Sequence, residues 1–138
     1  MHTFNEYLER VNNAIKAIPY PEQPSHLYEP ITYTMDLGGK RLRPVLVLMA
    51  CEAVGGDINR ALTPAIGLEM FHNFTLLHDD VMDKADIRRG KPTVHVKWDD
   101  NTAILSGDAM LTMATQLIAQ APADVMPQVM DLYNRTAM

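Results

Sequence analysis

No part of this sequence restricts its fold more than the stretch from Thr63 to Asp83. Thr63 is a residue type that caps helix N-termini, Pro64 suits the first helical position, and Ala65 to Asp83 contains no further proline. It reads as one long helix. Similar punctuation recurs on both sides. Thr3 to Ile18 carries Phe4, Leu8, Val11 and Ile15 at spacings of three and four, the pattern of an amphipathic helix. Pro19 to Pro30 holds four prolines and reads as a connector. Ile31 to Leu37 predicts a short helix stopped by Gly38-Gly39, and Pro44 opens another that ends near Val54, before Gly55-Gly56. Lys84 to Asp100, with Gly90 and Pro92, reads as a long functional loop. Asn101 to Gln120, containing Gly107, predicts a helix, and Asp124 onward a last one. No strand, repeat or low-complexity tract is expected, and the predicted fold is all-α over residues 1–138.

Composition narrows the function. Leu, Ala, Met and Ile dominate, with 10 Met and 7% aromatic residues, which favours helix over strand. Twelve basic against 17 acidic residues leave a net charge of -5, a poor basis for binding nucleic acid or an anionic membrane. The basic residues are instead concentrated at Lys40-Arg41-Leu42-Arg43 and Arg88-Arg89-Gly90-Lys91, which suggests a discrete anion site. The lone Cys51 excludes an internal disulfide and is expected as a small core residue in a reducing, cytoplasmic setting. No signal peptide is visible, and the longest apolar run, Pro44 to Cys51, is too short to span a bilayer.

The long helix ends in Asp79-Asp80-Val81-Met82-Asp83. Residues four apart lie on one helix face, about 6 Å apart along the axis, so Asp79 stacks on Asp83 with Asp80 about 100° around. Such carboxylates repel one another unless a cation neutralises them, and all-oxygen ligands suit a hard cation such as Mg²⁺ bridging to substrate phosphates. The plainer alternative is a set of solvated acids, although acids at a helix C-terminus oppose its dipole. The flanking sequence favours the cation site. Arg88-Arg89 offers planar donor forks matched to phosphate oxygens, and Lys40, Arg41 and Arg43 sit at a helix start, where orphan N–H groups favour an anion. A carboxylate–Mg²⁺ site beside an all-cationic site, with apolar helix faces between, suits the joining of two prenyl diphosphates.

Gly38-Gly39-Lys40-Arg41-Leu42-Arg43-Pro44, His78-Asp79-Asp80-Val81-Met82-Asp83 and Arg88-Arg89-Gly90-Lys91-Pro92-Thr93 together resemble the trans-isoprenyl diphosphate (polyprenyl) synthases. Gly107-Asp108-Ala109 resembles the family's next helix, and the match runs in order from about residue 35 to 115. The resemblance implies the N-terminal part of an isoprenoid synthase helical bundle and a Mg²⁺-dependent prenyltransferase that condenses isopentenyl diphosphate with an allylic prenyl diphosphate. It implies that Asp79, Asp80 and Asp83 hold Mg²⁺, that Arg88 contacts the allylic diphosphate, and that Lys40, Arg43, His72 and Arg89 bind isopentenyl diphosphate. His72 stands seven residues before Asp79, close to two turns, and so shares its face. His95 resembles a family position after the arginines, and His78 stays open between a functional and a structural role. His2 and His26 are expected at the surface. Trp98 has no assigned role, and Asp99-Asp100 reads as a solvated loop or cap.

Bulky residues four and five positions before the first aspartate limit chain length in the family; here they are Thr75 and Phe74. Phe74, with only Val81-Met82 inside the acidic motif, resembles short-chain synthases of the geranylgeranyl type, whereas bacterial farnesyl synthases more often carry two extra residues there; the expected product is geranylgeranyl or farnesyl diphosphate. Family enzymes are about twice this length and carry a second aspartate-rich motif. The expectation is therefore an incomplete domain, inactive alone, that self-associates or forms a homodimer through exposed apolar faces. The alternatives are a non-catalytic prenyl synthase subunit, an HD-type metal phosphohydrolase built on His78-Asp79 and His72, and a terpene cyclase.

Overall fold

The computed structural model describes residues 1–137. Among the described residues seven helices, α1 (Phe4–Lys16), α2 (Ser25–Asp36), α3 (Leu42–Ala53), α4 (Ile58–Asp83), α5 (Val94–Lys97), α6 (Asp100–Ile118) and α7 (Met126–Ala137), account for almost all regular structure. The one exception is a hairpin of β1 (Ile87–Arg88) and β2 (Lys91–Pro92). The all-α expectation holds for the fold as a whole.

The hairpin corrects the expectation of no strand, and with α5 it gives regular structure to part of the loop expected from Lys84 to Asp100. Ile87 pairs with Pro92 and Arg88 with Lys91, around an Arg89-Gly90 turn. Both turn residues have positive φ, 53° and 78°, which gives a two-residue turn the twist that antiparallel strands need. The cue in the sequence is Gly90.

The helix boundaries shift where prolines lie inside helices. α4 begins at Ile58, capped by the Asp57 side chain accepting from the Asn59 N–H at 2.9 Å, so Thr63 is not the cap. Pro64 removes one i→i−4 bond, yet the turn before it holds because Ile58 is buried in the core. α2 likewise starts at Ser25 and carries Pro30 within it, which shortens the expected connector. Pro44 does fall in the first turn of α3. Thr3 forms a capping box with Glu6, each accepting a bond from the other's backbone N–H, and α1 buries Tyr7, Val11 and Ile15 while Phe4 stays exposed.

α4 runs through the middle, with α6 along one side and α1, α2, α3 and α5 around it. Met70 and Leu77 of α4 meet Val11, Met35, Leu48 and Met110 in one core cluster. Gly67 sets how closely α6 approaches: a Cβ there would stand 2.9 Å from Leu117 Cβ and 3.0 Å from the Ala114 carbonyl oxygen. Below this contact an apolar cavity of about 590 Å³ opens among α3, α4, α6 and α7, lined by residues including Val47, Leu68, Phe71 and Tyr133. Cys51 also lines it and is half-buried, so it is not the closed core residue expected. Among the described residues no helix is long and apolar enough to cross a membrane.

Candidate functional site

The acidic motif occupies the last turn of α4, closed by Lys84 in the left-handed conformation at φ 54°. Asp79 and Asp83 are exposed on the face they share, whereas Asp80 points inward and is 6% exposed. A buried carboxylate needs a partner, and Asp80 has one. Arg88 of β1 donates through Nε to Oδ2 at 2.7 Å and through Nη2 to Oδ1 at 2.8 Å, a two-pronged ion pair. The bond to Asp80 raises the Arg88 pKa, burial opposes it, and the Asp80 and Asp79 charges add to the rise. Both Asp80 oxygens are therefore committed to Arg88, while Asp79 and Asp83 present theirs to solvent.

Two contacts that sequence reading missed hold the hairpin in place. Buried Thr93 donates its hydroxyl to the Ala85 carbonyl at 2.7 Å, tying β2 to the end of α4. Tyr33 of α2 donates to the Pro92 carbonyl at 2.7 Å and packs edge-on against Trp98. The cue is a threonine after Pro92, but such a pattern does not name its acceptor.

The basic residues converge from three elements. Arg43, in the first turn of α3, brings Nη1 to 3.4 Å from His72 Nε2 on α4. Arg89, at the hairpin tip, donates to Asn73 Oδ1 at 3.4 Å. Its guanidinium lies directly over Gly39, where a Cβ would stand 2.8 Å from Nη2. Lys40 is exposed on the next residue. Burial lowers the His72 pKa most, then the Arg43 charge, with Arg89 and Arg88 adding and Glu69 opposing. Burial also disfavours the charge on Arg89, and neighbouring Arg41 adds to this. Cations that disfavour one another in the free protein form a site that an anion would relieve.

Arg41 does not face that site. It is 4% exposed, turned inward by its left-handed backbone (φ 54°), and donates to the Met35 carbonyl and Asn12 Oδ1. Its Nη1 stands 3.5 Å from Oε1 of buried Glu69.

Phe74 is half-buried in an aromatic column: its ring is 4.9 Å from Phe71 and 5.6 Å from His78, and Phe71 stacks edge-on with Tyr133 at 5.7 Å. Thr75 is half-buried and donates to the His72 carbonyl at 2.6 Å. His78 turns to α6, with Nε2 3.1 Å from the Ile104 carbonyl oxygen and 3.7 Å from Asp108 Oδ1, and a Cβ on Gly107 would overlap its ring. That contact gives His78 a packing role between α4 and α6. His95 lies half-buried in α5, with Nδ1 lacking a hydrogen-bond partner among the described residues. Asp99 caps α6, accepting from the Thr102 N–H at 2.7 Å. His26 is exposed as expected, but His2 is bound to Glu52 at 2.6 Å and tilted against Tyr7.

Among the described residues no three histidine, cysteine or carboxylate side chains converge on one point. The exposed Asp79–Asp83 pair still suits Mg²⁺, which takes one or two carboxylates and completes its shell with water and substrate phosphates. Asp80, expected as a third ligand, is paired with Arg88, and each of its oxygens keeps a further lone pair.

The architecture is thus a helical bundle whose central helix ends in an exposed acid pair and carries a basic site two turns earlier. Comparison with known proteins gives the class a family. Residues 24–138 match the sequence profile of the family described as polyprenyl synthetase, and the chain belongs to that family. It is 43% identical over 129 residues to a geranylgeranyl diphosphate synthase of Methanosarcina mazei, covering 91% of this chain and 40% of the relative. It is 45% identical over 115 residues to a farnesyl diphosphate synthase of Micrococcus luteus, covering 82% and 39%. Among solved structures, one of a geranylgeranyl pyrophosphate synthase superposes with a TM-score of 0.94 at 49% identity, over 99% of this chain and 42% of that one. A geranylgeranyl pyrophosphate synthetase from Pyrococcus horikoshii gives 0.87 at 41% identity, over 96% and 41%. The chain therefore spans about 40% of the length of the curated relatives it matches.

Proposed function

We propose that this chain forms one wall of a short-chain trans-prenyltransferase site, in which isopentenyl diphosphate is joined to an allylic prenyl diphosphate. The observation that carries the reading lies on α4. One rigid helix carries the exposed acid pair and, about 10 Å along it at 1.5 Å per residue, His72 and Asn73, on which Arg43 and Arg89 converge. Asp79 and Asp83 would hold Mg²⁺ against the allylic diphosphate; when bound, the ion neutralises that diphosphate and favours its departure. Lys40, Arg43, His72 and Arg89 would grip isopentenyl diphosphate without metal. Arg88 orders Asp80 and the hairpin, and can approach the leaving diphosphate from there.

The reaction is an ionisation followed by an addition. The allylic carbon–oxygen bond breaks and its electron pair leaves with the diphosphate. The alkene of isopentenyl diphosphate then attacks the carbocation, and loss of a proton from the neighbouring carbon regenerates a double bond. The reading extends to residues 1–138 as the first part of a polyprenyl synthase domain, working in the cytoplasm as a homodimer. Phe74 and Thr75 would limit the growing tail.

The test is incorporation of labelled isopentenyl diphosphate by the protein containing this chain, with an allylic co-substrate and Mg²⁺. Asp79→Ala and Asp83→Ala are each expected to lower turnover by about 100-fold or more, the scale of removing one preorganised electrostatic group. Full turnover in both variants would overturn the assignment.

A further inference from the structure

A buried polar pillar runs beneath the cationic site and has no part in the proposed chemistry. Glu69 is 3% exposed and Asn73 1% exposed, one turn apart on α4, in a bundle that is otherwise apolar there. Arg41 reaches Glu69 from the start of α3. A buried arginine–carboxylate pair adds little stability over well-packed apolar residues. The Arg41 backbone also sits in a left-handed conformation that side chains other than glycine and asparagine disfavour. Stability is therefore a poor account of the pillar, and its wiring gives a better one.

Asn73 donates its amide N–H twice, to the Glu69 carbonyl at 2.8 Å and to Glu69 Oε1 at 3.1 Å. A carboxylate only accepts, so Glu69 dictates which way the Asn73 amide faces. The amide oxygen is left pointing outward, where it accepts from Arg89 Nη1. Arg41 Nη1 stands 3.5 Å from that same Glu69 oxygen and braces the carboxylate. From above, Gly39 leaves room for the Arg89 guanidinium that any side chain would take.

We propose that Glu69, Asn73 and Arg41 are positioning residues that hold Arg89 at the isopentenyl diphosphate site, with Gly39 as the opposing wall. This rests on the prenyl-transfer reading above. Glu69→Gln breaks the logic at constant volume, because a glutamine amide can present either end and frees Asn73 to flip. Asn73→Leu removes the acceptor, and Gly39→Ala sets a Cβ against the guanidinium from the exposed side while also straining the backbone at φ 126°.

Steady-state kinetics on the protein containing this chain separates the outcomes. In Asn73→Leu and Gly39→Ala, the KM for isopentenyl diphosphate is expected to rise about tenfold, the scale of one lost charge-assisted hydrogen bond. The KM for the allylic substrate and kcat should hold, a split that general loosening would not produce. In an Arg89→Ala background, Asn73→Leu should add no further loss, since its effect passes through the missing arginine. Equal KM values for wild type, Asn73→Leu and Gly39→Ala, with Arg89→Ala still impaired, overturn the positioning role alone. No change in Arg89→Ala either overturns the assignment of the cationic site, and the positioning role with it.

Discussion

Arg88→Ala tests the electrostatics of the acidic helix end. The substitution leaves the Asp80 carboxylate, in a residue 6% exposed, without the two hydrogen bonds of 2.7 and 2.8 Å that satisfy it. Removing one partner of a fully buried pair costs about 3–5 kcal/mol. The Arg88 side chain is 30% exposed, so water would reach part of the vacated space. A discount for that screening gives about 2–3 kcal/mol. An unfolding entropy of about 2.1 cal/mol/K per residue converts this to a fall in Tm of about 7–10 °C for a chain this size. Mg²⁺ should restore part of the loss, because Asp80 is then free to join Asp79 and Asp83 around the ion. The wild type, whose Asp80 is occupied, should gain less. Thermal melts of both proteins, with Mg²⁺ and with a chelator, read both effects. Asp80→Asn in the same background removes the stranded charge and should recover stability. A Tm for Arg88→Ala within about 2 °C of wild type would refute the reasoning.

Two other consequences are open to measurement. His72 is held below its ordinary value of 6.5 mainly by burial, so between its folded value and 6.5 unfolding takes up a proton. The stability this represents is present above about pH 6.5 and lost as pH falls through the depressed folded value. His72→Gln should flatten that slope in denaturation midpoints from about pH 5 to about pH 8, and an unchanged slope would exclude His72 as its source. Phe74→Ala opens space in the aromatic column above the apolar cavity, and is expected to lengthen the prenyl product seen by chromatography. An unaltered product would remove Phe74 from chain-length control.

Much of the site is legible in the sequence alone, because its residues come as short local strings. Asp79 and Asp83 share an exposed face by helical spacing, and His72 falls on α4 for the same reason. The fates of Asp80 and Arg41 are not legible there. Asp80 differs from its neighbour only by one residue of helix rotation, which carries it to the inner face where the hairpin delivers Arg88. Arg41 reads as one more cation in a basic run, yet its backbone conformation turns it away from Lys40 and Arg43 toward Glu69. Pro64 and Thr63 mislead for a related reason. They form a good local helix start, but the burial of Ile58 extends the helix upstream to the Asp57 cap.

The sequence by itself determined the helical class and the two opposed charge clusters, since propensity, capping chemistry and spacing act over a few residues. Only the tertiary structure decided which charges face outward and which pair in the interior. That choice depends on burial and on partners far along the chain, Asn12 and Glu69 for Arg41 and the hairpin for Asp80, and no local pattern encodes them.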